Sequence, residues 1–205
     1  GANVHVAVAD VTEEGAVQRA FAAATDALGP PTVLVNNAGV AASVPFSRMD
    51  AAHWQDMIGV NLTGVFHCTR TALPAMLTAK YGRVISIAST AALKGYAYVA
   101  AYCAAKHGVV GLTRALALET ARSGVTVNAV CPGFTDTQMT ESAVAKIAEK
   151  TGMTEAQALD SLTANNPQGR LITPEEVAQT VAWLALPSSS AISGQAIPVA
   201  GGEAL

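Results

Sequence analysis

Short β-branched runs alternate with longer helix-patterned segments along this chain, and that order admits few folds. Residues 4–8 (Val-His-Val-Ala-Val) alternate as a strand does, closed by Asp10-Val11-Thr12. Residues 32–35, 83–88, 125–130 and 195–199 read as further short strands. Helices are expected over 13–28, 51–80, 99–122 and 173–186. Several carry their own start and stop signals. Gly29-Pro30-Pro31 stops the first, and Asp50 is placed to cap the second, which Pro74 should bend or divide before Gly82. Gly124 ends the third, and Thr173-Pro174-Glu175-Glu176 opens the last with a cap, a first-turn proline and a glutamate three residues on. Strands that return through helices give a parallel sheet covered on both faces. The expectation is an α/β, doubly wound, Rossmann-like fold in three α/β/α layers. No repeat or linker divides it, so residues 1–205 form one domain, with 134–170 as a polar, helical insertion.

Composition excludes several kinds of function. Hydrophobic residues make up 51% and charged residues 13%, as suits a tightly buried domain rather than a disordered one. The net charge is −3 with no basic cluster, which gives nucleic acid or an anionic membrane no footing. Cys68, Cys103 and Cys131 are scattered and odd in number, pointing to a reducing cytosol rather than a disulfide framework. Cys68 and Cys131 read as small buried hydrophobes and Cys103 as a neutral neighbour of Tyr102. The four histidines match no zinc spacing, so no metal is expected. No apolar run is long enough to span a membrane and no signal peptide is visible; a cytoplasmic protein is expected.

Ligands of parallel sheets bind beyond the carboxyl ends of the strands. Four distinctive stretches fall on that rim: Asp10, Asn36-Asn37-Ala38-Gly39, Ser89 and Pro132-Gly133. Tyr102 and Lys106 lie four residues apart, on one face of a helix. An ammonium packed against a phenol favours the phenolate, and a phenol tuned towards neutrality can exchange a proton with a carbonyl or an alcohol. A serine hydroxyl nearby would hold the substrate oxygen. Taken alone, such a pair is more often an exposed surface feature, because short motifs match by chance. One side of the same helix is small, with Ala101, Ala104, Ala105, Gly108 and Gly111, and admits close approach by another backbone or a ligand.

Asn-Asn-Ala-Gly at 36–39, Asn61, Ser89, Tyr-x-x-x-Lys at 102–106 and Pro132-Gly133 together resemble the short-chain dehydrogenases/reductases, over essentially the whole chain. Ile87-Ala88-Ser89-Thr90, the run from Ala105 to Gly111 and the run from Asn128 to Phe134 are most similar to 3-oxoacyl thioester and aromatic polyketide ketoreductases. The resemblance implies a catalytic set of Asn61, Ser89, Tyr102 and Lys106. Tyr102 would be the acid in reduction and the base in oxidation. Lys106 would lower its pKa and hold the nicotinamide ribose, Ser89 would bind the substrate oxygen, and Asn61 would anchor a water behind Lys106. It also implies that Asp10 and Val11 contact adenine and that Asn37, Ala38 and Gly39 line the cofactor channel. Pro132, Gly133, Thr135 and Thr137 would hold the carboxamide. Asn61 is otherwise a satisfied helical polar residue, Asp10 a turn former and Thr135 a turn hydroxyl. Tyr96, Tyr98 and Met139 either shape the substrate pocket or pack its rim.

One departure stands out. The family's Thr-Gly-x-x-x-Gly-x-Gly turn, which cradles the pyrophosphate, is absent, with the strands and helices around it. Gly1 is not a methionine. A section outside the given sequence, a truncated polypeptide and completion by another chain all account for this; the first is favoured, because the catalytic set has no use without a dinucleotide. The same gap hides the choice between NAD and NADP, with polyketide likeness leaning to NADP.

The expected function is therefore hydride transfer between NAD(P) and a ketone or secondary alcohol, with a 3-oxoacyl thioester or related β-keto compound as substrate. The alternatives are a non-catalytic cofactor-binding protein on the same fold and a structural subunit of a larger assembly. The resemblance further implies a homotetramer built on the helices at 51–80 and 99–122, and residues 134–170 are expected to cover the substrate.

Overall fold

The computed structural model describes residues 3–204. Strands β1 (Val33–Asn36), β2 (Gly82–Ile87), β3 (Val125–Pro132) and β4 (Ala196–Val199) form one parallel sheet in chain order. The helices are α1 (Glu14–Leu28), α2 (Ala51–Ile58), α3 (Gly64–Ala79), α4 (Ala100–Glu119), α5 (Gln138–Thr151), α6 (Glu155–Thr163) and α7 (Pro174–Ala185).

The two central strands are buried on both faces, and most of their residues are apolar, with Arg83, Ser86, Thr126 and Asn128 as buried polar exceptions. On one face Val84 and Val127 meet Ala72 and Met76 of α3 and Ala117 of α4. On the other, Ile85 and Val130 meet Leu184, Val177 and Val181 of α7. Burying a side chain such as Met76, fully enclosed here, contributes about 1.5–3 kcal/mol. Helix α1 lies outside α3, joined through Phe21 and an exposed Glu14–Arg70 ion pair of 3.0 Å. The expected caps are present: the Asp50 carboxylate accepts from the His53 N–H at 2.8 Å, and Thr173 and Glu176 form a reciprocal capping box.

Two expectations fail. Residues 4–8 pair with no strand among the described residues, and Val4, Val6 and Val8 are 80%, 80% and 98% exposed. Alternation records which face of a strand is apolar; a ladder also needs a neighbour to bond to. The helix over 51–80 is interrupted, but at Asn61 rather than at Pro74. Gly59–Thr63 form a single π-turn in which the Gly64 N–H bonds back to Gly59 O. Pro74 sits inside α3 on an exposed face, beside exposed Arg70, whose carbonyl it leaves to water.

Candidate active site

The site is assembled where β2, β3 and the segment after β1 end. Ser89 follows β2 directly, and its side chain accepts the Ala91 N–H at 3.1 Å, shaping a tight turn at Thr90–Ala92. Tyr102 and Lys106 stand one above the other on the first turns of α4, with the Lys106 Nζ 5.6 Å from the centroid of the Tyr102 ring. Lys106 is 4% exposed, and its ammonium donates to Ile87 O at 2.8 Å. That bond uses one of its three donors. Burial pushes the Lys106 pKa down to about 8.

The phenol behaves differently from expectation. Burial pushes the Tyr102 pKa up, and the Ser89 hydroxyl beside it offsets part of that rise. Burial, rather than the Lys106 charge, sets the direction of the shift, and the ammonium donates to the Ile87 carbonyl. Tyr102 is therefore a protonated donor at neutral pH, flanked by the serine. Cys131 lies next to this group; burial raises its thiol to about 11, against the pull of the Ser89 N–H and Lys106. Its place beside the lysine was not legible from its own sequence neighbourhood.

Asn61 is completely buried in the π-turn. Its Nδ2 donates to Met57 O at 3.0 Å and Val40 O at 2.9 Å, and its Oδ1 accepts the Val40 N–H at 3.2 Å. The turn aims the side chain at the segment after β1. A Cβ added to Gly39 would lie 3.1 Å from Asn61 Oδ1 and 3.7 Å from Lys106 Nζ, so this glycine brings the Asn-Asn-Ala-Gly segment onto Asn61 and Lys106. Asn36 anchors that segment from below, donating to Thr69 Oγ1 and Ser86 Oγ, each at 3.1 Å. Asn37 and Ala38 are exposed above the sheet end.

The remaining predicted residues are more peripheral. Asp10 is exposed; its Oδ1 accepts from the N–H and the hydroxyl of Thr12, both at 2.8 Å, and these bonds hold its pKa below the usual range. Val11 packs against Gly64, and its carbonyl lies 3.0 Å from His67 Nδ1. Gly133 lies against Ala200 and Glu203. Thr135 bonds Gly133 O at 3.0 Å, and Thr137, at the start of α5, reaches Thr135 O at 3.3 Å. Pro132 ends β3 in register with Val199. Among the described residues no cluster of His, Cys, Asp and Glu is arranged to hold a metal, and no helix is long and apolar enough to cross a membrane.

The family model described as enoyl-(acyl carrier protein) reductase matches residues 1–203. A relative from Streptomyces coelicolor, named a putative ketoacyl reductase, is 43% identical over 94% of this chain and 75% of its own length. The chain is a short-chain dehydrogenase/reductase. Such enzymes are NAD(P)-dependent oxidoreductases, as expected from the sequence. A D-beta-hydroxybutyrate dehydrogenase from Rhizobium meliloti is 37% identical over 95% of this short-chain dehydrogenase/reductase and 76% of its own length. The solved structure of a phenylalanine-to-tryptophan variant of actinorhodin polyketide ketoreductase with NADPH superposes with a TM-score of 0.92 at 41% identity, covering 96% of this chain and 76% of that one. The expected three-layer parallel fold is the fold of this short-chain dehydrogenase/reductase.

Proposed function

We propose that this enzyme reduces the ketone of a 3-oxoacyl thioester or related β-keto compound, with NADP preferred over NAD. The observation that carries this is the convergence of Ser89, Tyr102 and Lys106 at the carboxyl end of β2, with the lysine keeping donors to spare. Those spare donors fit ribose hydroxyls, and Gly39 leaves room beside them. The bound nicotinamide supplies or accepts the hydride.

Every other step belongs to the chain. Ser89 holds the ketone oxygen and Tyr102 gives it a proton; in oxidation the same phenol oxygen takes the proton back. A phenol kept protonated by burial is in the form that reduction needs. Lys106 fixes the ribose, so the reacting carbons meet in one orientation. Asn61, held by both Val40 polar groups, organises the proton path behind Lys106. Asp10 and Val11 flank the adenine; Asn37, Ala38 and Gly39 line the channel. Pro132, Gly133, Thr135 and Thr137 receive the carboxamide. Residues 134–170 cover the substrate, and the relatives named as ketoacyl and polyketide ketoreductases support the substrate class and the lean to NADP.

A cytoplasmic homotetramer is part of the same reading. Exposed Phe66 and Leu77, with Leu73, Leu112 and Leu116, form an apolar groove across α3 and α4 suited to a second copy. Sedimentation as a monomer at micromolar concentration would remove that element. The reaction is tested by following NADPH and NADH consumption with β-keto thioesters. Ketone-dependent oxidation that Tyr102→Phe abolishes is expected; no turnover of any ketone, or turnover indifferent to that substitution, overturns the proposal.

A further inference from the structure

Glu203 takes no part in the chemistry above, yet its side chain is 1% exposed. It follows the Gly201-Gly202 turn after β4. The Tyr96 hydroxyl donates to its Oε1, and Thr90 Oγ1 lies 2.7 Å from the same phenol oxygen. Lys94 Nζ is 3.3 Å from Oε1, bonds the Glu203 carbonyl at 3.1 Å and lies 5.0 Å over the Tyr96 ring. On its other side the carboxylate closes on the β3 exit, where a Cβ on Gly133 would come within 2.9 Å of Oε2. Tyr96 also meets Phe134 edge-on at 6.4 Å. The turn itself grips the end of the 134–170 segment: a Cβ on Gly201 would fall 2.0 Å from Asn166 Oδ1, and one on Gly202 3.2 Å from Pro167.

We propose that Glu203 is a positioning residue for the ketone. It pins Tyr96 and Lys94 as a wall beside Ser89, and ties that wall to the Gly133 turn and to the base of the α5–α6 segment. A buried carboxylate needs partners to remain charged. Here the partners come from the loop adjoining the catalytic serine, so satisfying the charge fixes the loop. Burial and Glu203 together raise the Tyr96 pKa strongly, which keeps its hydroxyl a donor.

This rests on the ketone-reductase reading, and the test separates the two. Steady-state constants are measured for the purified protein and for Glu203→Ala, Tyr96→Phe and their double variant. The expected result for Glu203→Ala, which removes the acceptor of the Tyr96 hydroxyl, is a ketone KM raised about fivefold or more, with kcat within about twofold and the NADPH KM unchanged. The double variant should be no worse than the poorer single one, because both break one contact. An unchanged ketone KM, a matching rise in the NADPH KM or full additivity overturns the proposal. A second readout needs no turnover. Tetranitromethane nitration, mapped by mass spectrometry, should modify Tyr96 about fivefold faster in Glu203→Ala than in the parent, while Tyr98, 65% exposed, reacts equally in both. Equal Tyr96 rates overturn the claim that Glu203 holds it. Slow nitration of the parent with no ketone turnover defeats the reductase reading and, with it, the assignment of Glu203 to a ketone.

Discussion

Lys106 and Arg83 are two buried cations at opposite ends of the same strand, and among the described residues both donate to backbone carbonyls rather than to carboxylates. Arg83 sits at the amino end of β2, where its guanidinium reaches the carbonyls of Gly82, Gly124, Leu186 and Pro187 at 2.8–3.4 Å and stacks 4.6 Å from the Tyr81 ring. The planar fork saturates itself on the ends of three segments. Lys106, at the carboxyl end, has one carbonyl and the face of one phenol. Equal burial thus accompanies two arrangements: the saturated cation fastens the sheet to its neighbours, and the other keeps spare donors, which the proposed function assigns to the ribose.

Breaking the carboxyl end should show the largest effect. Tyr102→Phe, which removes the proton donor and leaves the ring packed, should lower kcat about 10²–10⁴-fold without moving the unfolding midpoint. At the amino end the pattern should reverse. Arg83→Ala orphans several carbonyls and should cost about 3 kcal/mol in denaturant unfolding, with kcat per folded molecule retained. If Arg83→Ala instead silences the enzyme while leaving it stable, the division between the two ends is wrong.

Burial of Lys106 also makes stability depend on pH. Lys106 ionises at about 8 in the folded chain, below the 10.5 usual for lysine. The unfolded chain therefore binds more protons between those values, and the cost of burying the charge is fully present below about pH 8. Unfolding free energy should rise from pH 8 towards 10.5 relative to Lys106→Met, by roughly 1–3 kcal/mol. Parallel pH curves for the two proteins would place the lysine in solvent. The smallest effect is expected from Gly39→Ala. Its methyl would press on Asn61 Oδ1 at 3.1 Å, costing about 0.5–1.5 kcal/mol and raising the NADPH KM severalfold.

Legibility in the sequence followed the range of the interaction. Asp50 and Thr173 act within one helical turn, and both caps are where the residues announce them. The Tyr102–Lys106 pairing on one face is likewise local and came through. The direction of the Tyr102 shift did not, because burial is set by distant segments and the ammonium chose a carbonyl nineteen residues away in the chain. Residues 4–8 carry a strand's pattern, but pairing depends on a neighbour that no local pattern encodes. Glu203 lies more than a hundred residues from Tyr96, and nothing in the Gly-Gly-Glu run marks the acid as buried. Pro74 drew attention as a helix breaker, while the actual irregularity, the π-turn at Asn61, is bounded by Gly59 and Gly64, which carried no weight in the reading of this helix.

That wide turn makes the winding between Gly59 and Thr63 a counting device. The Met57 carbonyl receives the Asn61 side-chain amide, and the bond from Gly64 to Gly59 accommodates one residue more than regular winding would. Removing a single residue there would let the backbone close into an unbroken α-helix while swinging Asn61 off Val40. A deletion of that kind should leave circular dichroism nearly untouched while breaking the Asn61–Val40 bonds; under the proposed function it should also cost activity, so chain length at this spot would itself matter to the reaction.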